Sequence, residues 1–324
     1  MSTANVIPET WKLDGDDARQ TLKDTGRARL IRDAFKRLRW ADGFSHARSI
    51  AFLLTLVFIE GVIALVGLAS VLASGGLSDS IVRGLQTAVP GPAGSVLTDA
   101  VAQAHRAGTS SRYLALWIGL AAAIVTGTTL LGQFERGMNR IYGIEKDRPT
   151  ARKYGRAFLL LLSAGVLAAL GFACVALGHV VGTAFNNDLW SSVWNVARWP
   201  AGLLFITAAI ALILRYAPRR HQPAWSWLSM GALLAVVLWV VVTLGFDVFF
   251  SVSSTFGKTY GPLAGIVALL LWSYGSSIAV LYGVSVAAQL EAVRAGMPAP
   301  QSTRKAALPE PRPDAPVTVS VGER

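Results

Sequence analysis

The sequence predicts an all-α fold: a polytopic integral membrane protein, a bundle of six transmembrane helices with both termini in the cytoplasm (N-in/C-in). Three observations carry this. Hydrophobic residues make up 53% of the 324 and charged residues only 15%, where a soluble domain carries about a quarter charged. Six apolar runs, at residues 50–73, 113–131, 158–184, 199–216, 227–250 and 261–289, are near or above the length that crosses a hydrocarbon core of roughly 30 Å at 1.5 Å per residue. The 30 Lys and Arg, with Arg215 at the inner end of the fourth run counted in the segment it adjoins, divide unevenly among the seven segments flanking these runs. Alternate segments, counted from the N-terminus, hold 25 and the others 5, the positive-inside pattern of a chain with both ends inside.

The elements follow in order. Residues 1–26 are polar and without periodicity, and read as a disordered cytoplasmic tail. Within residues 27–47, Leu30, Ile31, Ala34, Phe35 and Leu38 form one helical stripe, while Arg29, Arg32, Lys36, Arg37 and Arg39 take the other faces. That is a basic amphipathic helix suited to an anionic lipid surface, or else a solvated helix beside it. The transmembrane domain covers residues 48–291. Its one long external loop, 74–111, has two short amphipathic patterns separated by Pro90 and Pro92, which predicts a small helical hairpin. Trp190, Trp194 and Trp199, at the external start of the fourth run, read as interfacial anchors. Residues 292–324 are rich in Pro, Ala and charge, and read as a second disordered tail.

The last run is predicted to sit centrally. From Thr259 to Leu290 there is no Asp, Glu, Lys or Arg. Gly275, Ala279, Gly283 and Ala287 recur every fourth residue and form a shallow groove that admits a neighbouring backbone. Tyr274, Tyr282, Ser277 and Ser285 mark a protein-facing or wet side, and Tyr260 opens the run.

Two carboxylates fall inside predicted spans, Glu60 near the middle of the first and Asp247 near the outer end of the fifth. A carboxylate in lipid costs about 2.5 kcal/mol or more on insertion scales, so each faces a partner or a wet cavity. Each is either a proton-coupling or substrate-contacting group, or a neutral hydrogen-bonding group between helices. The densest polar cluster lies at the inner end of the second run: Gln133, Glu135, Arg136, Asn139, Arg140, Tyr142 and Arg148. Arg136 and Arg140 are placed to hold lipid phosphate or to pair with Glu135 and Glu145, and plain positive-inside anchoring also accounts for the charge. Arg215, with Arg219 and Arg220, makes a smaller basic corner on the same side.

The net charge of +11 lies in loops and tails, so topology accounts for it and no nucleic-acid partner is expected. A single cysteine, Cys174, excludes an internal disulfide and any CxxC metal site. No HExxH, GxSxG, Walker or strand-linked GxGxxG motif is present. No catalytic residue, metal or cofactor is expected, and an enzyme is the least supported class.

Three blocks resemble the YihY/BrkB family of bacterial inner-membrane proteins, including its YhjD branch, long labelled ribonuclease BN. ERGMNRIYGIEKDRP matches through Met138, Asn139, Arg140, Ile141, Tyr142, Arg148 and Pro149. LRYAPRRHQPAWSWLSMGALLAVVLW matches through Arg215, Tyr216, Pro218, Trp227, Gly231, Ala232 and Trp239. The last run matches through Tyr260, Gly261, Leu263, Gly265, Trp272, Tyr274 and Gly283. The first run departs, having none of the family's proline. The resemblance implies six spans, a role in envelope integrity, and movement of a lipid or glycolipid across or out of the inner membrane. The ribonuclease label is disfavoured, because RNA hydrolysis needs water-exposed acid–base groups or a metal site, and these loops are short. The expected partners are membrane lipids, through anionic headgroups at the cytoplasmic face, with self-association or an envelope protein also open. A membrane scaffold without transport activity is the alternative function.

Overall fold

A computed structural model describes residues 4–9, 15–71, 91, 92, 99, 109–183, 188–253, 260 and 263–301. The described residues are helical apart from turns, loops and one isolated bridge between Ala4 and Gln301. Helices α1 (Gly15–Thr25) and α2 (Arg27–Trp40) precede the bundle. The bundle comprises α3 (Gly43–Val71), α4 (Thr109–Ile141), α5 (Thr150–Leu160), a π-helical turn (Leu161–Gly165), α6 (Val166–Thr183), α7 (Asp188–Tyr216), α8 (Trp225–Val252) and α9 (Ala264–Arg294). With α5, the π turn and α6 forming one continuous rod, six helices are long and apolar enough to cross a membrane.

Helix α9 is the centre. Its span is 56% buried, against 11% to 28% for the other five, and it packs on α8, α3 and α2. The small-residue groove is what α8 fills. A Cβ placed on Gly231 would lie 2.8 Å from the Gly283 carbonyl oxygen and 2.9 Å from the Ala287 Cβ. Gly283 in turn faces the Gly231 carbonyl and Ala235, and Gly275 faces Val242 and Phe246. The same device joins α6 to α7, where a Cβ on Gly171 would lie 2.9 Å from the Gly202 carbonyl. Deeper in the bundle Phe58, Phe172, Trp239 and Trp272 form a ring of aromatic contacts, with centroids 5.3 to 6.3 Å apart, that ties α3, α6, α8 and α9 together.

Several expectations are corrected. The described part of residues 1–26 is not a featureless tail: α1 packs on α9, and residues 4–9 lie across the end of the bundle. Two features hold that segment. Gly143, at φ 78°, makes a turn over which Val6 passes so closely that a Cβ there would lie 2.6 Å from the Val6 Cα. The Ile7 amide donates to the Tyr142 carbonyl at 3.2 Å. In α2 the stripe divides. Leu30, Ala34 and Leu38 are buried, while Ile31 and Phe35 stay about half exposed. Arg37, expected on the polar face, is fully buried, because it sits three residues after Ala34 and seven after Leu30, in line with the buried face. Helix α7 begins at Asp188, so Trp190 and Trp194 belong to the fourth span, which carries Pro200 inside it. Beyond Arg294 the chain doubles back as far as Gln301, with the Asn5 amide donating to the Pro300 carbonyl. The predicted hairpin at 74–111 and the tail beyond residue 301 lie outside the described residues, apart from positions 91, 92, 99 and the start of α4.

Candidate functional site

The α4–α5 and α7–α8 connections, residues 4–9, and the C-terminal ends of α2 and α9 converge at one end of the bundle, here called the capped end. The sequence-predicted cluster lies there, largely built into contacts between segments. Glu135, 3% exposed, faces Arg148, with Nη1 and Oε2 3.2 Å apart. Arg148 also donates to the Ala217 and Pro218 carbonyls at 2.6 and 2.7 Å, joining the two connections. Burial pulls the Arg148 pKa down, and the Glu135 charge pulls back. Arg136 pairs with Asp147 at 3.1 Å, not with Glu135 or Glu145. Asn139 is fully buried; it donates to Asp147 and accepts the Arg219 backbone N–H at 2.8 Å. Arg140 donates to the Ile144 carbonyl. Burial pushes Asp147 up, but hydrogen bonds from Asn139 and Arg136 and the Lys153 charge win and hold it below the usual carboxylate range.

Behind this lies a second knot that the sequence reading missed. The Arg37 Nε donates to Gln289 Oε1 at 2.8 Å, and its Nη1 donates to the Asn5 and Ile141 carbonyls. Arg220 pairs with Glu291 at 2.9 Å and lies over the Tyr142 ring, 4.4 Å from its centroid. The Tyr142 hydroxyl donates to Glu291 at 3.3 Å. Burial draws Arg37 down to about 10, so it stays charged at neutral pH. Burial and the Glu291 carboxylate raise the Tyr142 phenol well above its usual range, so it stays a neutral donor. Glu291 had one signal in the sequence, as the first charge after the long uncharged run.

The remaining predicted residues are scattered. Arg215 donates to the Pro223 carbonyl and stacks 4.9 Å from the Trp225 ring centroid. Gln133 is half-buried on α4. Tyr274 packs against the core, and the Tyr282 hydroxyl donates to the Ile31 carbonyl at 2.9 Å, tying α9 to α2. Tyr260 is exposed. Asp247 is exposed towards the far end of α8.

Glu60 sits alone, a little past the midpoint of α3. Its Oε1 accepts from the Thr126 hydroxyl on α4 at 3.0 Å, and its Oε2 is buried without a hydrogen-bond partner. Next to Thr126, Gly127 touches Leu161, the first residue of the π turn. Up to that level the third span runs along α4; beyond it α6 turns to α7. Glu60 therefore lies where two spans part. Among the described residues no group of three His, Cys, Asp or Glu is arranged to hold a metal ion.

Residues 34–307 match the family described as Virulence factor BrkB, most of the chain. The chain belongs to the BrkB family. It is similar to a Bacillus subtilis (strain 168) protein named as ribonuclease-like, YfkH, at 21% identity over 81% of this chain and 94% of that protein. It is also similar to UPF0761 membrane proteins of Xanthomonas oryzae pv. oryzae (strain PXO99A), at 31% identity over 54% of this chain, and of Xanthomonas campestris pv. campestris (strain B100), at 30% over the same share. The match spans 41% of each of those two longer relatives. No solved structure matches. Membership in the BrkB family agrees with the resemblance read from the three blocks, and the membrane-protein names agree with six apolar helices.

Proposed function

We propose that this protein moves a lipid or other amphipathic envelope component through the bacterial inner membrane, with the capped end in the cytoplasm and no catalytic chemistry of its own. The observation that supports it is Glu60. A carboxylate oxygen buried among helices without a partner costs free energy that a purely structural group would avoid. Glu60 lies beside Thr126, where the third span leaves α4. A titratable group at such a parting is suited to gating or to proton coupling. The excess of basic residues at the capped end supports the cytoplasmic assignment.

The test is movement of a fluorescent phospholipid between leaflets of proteoliposomes, read by reduction of the outer-leaflet dye. Wild type should expose dye that protein-free vesicles protect. Glu60→Gln keeps the shape and hydrogen-bonding reach while abolishing titration, so it should fold normally and lose the activity. Equal activity in Glu60→Gln would remove Glu60 from the mechanism. Wild-type vesicles as impermeable as protein-free ones would sink the transport reading in favour of a membrane scaffold.

A further inference from the structure

A groove of about 770 Å³ lies on the outside of the bundle between α5 and the end of α7. It is lined by four arginines: Arg148, Arg152, Arg156 and Arg219. Further along α5 and the π turn are Leu159, Leu160 and Ser163, and Tyr216 lies beside Arg156. No carboxylate lines it.

Positive-inside bias explains why arginines are at this end, but not how these differ from their neighbours. Arg136, Lys153 and Arg220 are each ion-paired to Asp147 or Glu291. Among the described residues no ion pair includes Arg152, Arg156 or Arg219. Backbone carbonyls aim two of them. The Arg156 Nε donates to the Tyr216 carbonyl at 2.9 Å, and the Arg219 Nη1 donates to the Lys146 and Asp147 carbonyls at 3.2 and 3.0 Å. Each guanidinium keeps further N–H groups for a ligand, and Arg152, one turn before Arg156, keeps all of its own. Planar forks held by neutral carbonyls suit bidentate contact with phosphate oxygens.

The order of polarity along the groove names the rest of the ligand. Helix α5 enters the third span, so Arg152 lies at its edge, and Leu159, Leu160 and Ser163 lie deeper. From Arg152 to Ser163 the helix rises about 16 Å. The sequence is headgroup first and hydrocarbon after, as in a phospholipid leaflet whose headgroups lie at the capped end. We infer that this groove is a binding site for a phosphate-headed anionic lipid, with Arg152, Arg156 and Arg219 on the phosphate and the first acyl segment against Leu159 and Leu160. This rests on the transport reading above for its consequence, since it names the class of amphiphile that the protein would take up.

Two variants test it without disturbing the buried knots. Arg152→Gln with Arg156→Gln removes two of the free guanidiniums. Gly155→Trp keeps every charge and fills the groove, and a Cβ at Gly155 has open space around it. The full chain in detergent is titrated by native mass spectrometry with phosphatidic acid, phosphatidylcholine and soluble glycerol phosphate. Phosphatidic acid should bind in preference to phosphatidylcholine, and both variants should weaken it about tenfold or more, as loss of charge-assisted contacts does. Variants that bind phosphatidic acid as wild type does would overturn the site. Glycerol phosphate binding as tightly as phosphatidic acid would overturn the lipid assignment and leave a free-phosphate site. Glu60→Gln separates this from the transport reading, because it should bind phosphatidic acid normally even where it stops movement. Should wild type bind phosphatidic acid at the groove and move no lipid, the transport reading fails and the groove stands. Should the groove variants bind normally while Glu60→Gln is inactive, the groove fails and the transport reading stands.

Discussion

Helix α9 is held in two ways along its length. In its middle, Gly275 and Gly283 meet α8 through the absence of side chains. Near its C-terminal end, Gln289 and Glu291, both fully buried, are gripped by Arg37, Tyr142 and Arg220 from three other segments. The two contacts are limited by different things. At the glycine seam the limit is space, since backbone of α8 already lies at contact distance. At the knot the limit is the identity of the partner, since a charge without solvent is tolerated only while its opposite is present.

The knot should break hardest. Arg220→Met takes the Arg220 guanidinium away from the buried Glu291 carboxylate, and removing one member of a buried pair costs about 3–5 kcal/mol. Unfolding in detergent by denaturant or heat should show this, and adding Glu291→Leu should recover most of the loss. A single variant as stable as wild type would mean that water reaches Glu291 and that the knot is no knot.

Next is the seam. Gly283→Leu should cost about 1–3 kcal/mol or more, because the bulk meets backbone that has no room to yield. Gly245→Ala, on α8 where a Cβ meets nothing within 4 Å, should be neutral or stabilise by about 0.5–1 kcal/mol. Equal effects in the two variants would show that helix propensity, not close approach, governs both positions.

The smallest effect separates the contacts by pH. Asp147 has a folded pKa below its ordinary 3.8. Its contribution is therefore fully present above 3.8 and is lost as pH falls through the lower folded value. The Tm advantage of wild type over Asp147→Asn should be constant above that window and shrink within it, while the deficit of Gly283→Leu should not change. An Asp147 advantage that persists unchanged to the lowest pH would remove its charge from the account.

Much of this was legible in the chain. The six spans, the central place of the last one and its glycine groove were written in runs of apolar residues and in a four-residue spacing, both local properties that any helix must express. The candidate cluster from Gln133 to Arg148 was recognisable as a cluster, but its pairing was not. Arg136 chose Asp147 and Glu135 chose Arg148, because the α4–α5 turn brings residues eleven and thirteen apart into contact, which a count along one helix face does not foresee. The charge of Arg37 points to the polar face, but its spacing from Ala34 puts it on the buried side, and the spacing prevails.

What the amino-acid sequence determined by itself is therefore the membrane class, the number of spans, the uneven distribution of positive charge and the helix that others pack on, because each depends on composition and period within one segment. Only the tertiary structure decided which arginines are bound to carboxylates and which are left facing an open groove. It also decided that residues 4–9 cover the capped end, that Glu60 meets Thr126, and that the third span leaves α4 at a π turn. Those are contacts between segments tens to hundreds of residues apart. Their energies depend on burial and on the partner that arrives, and neither exists until the helices have packed.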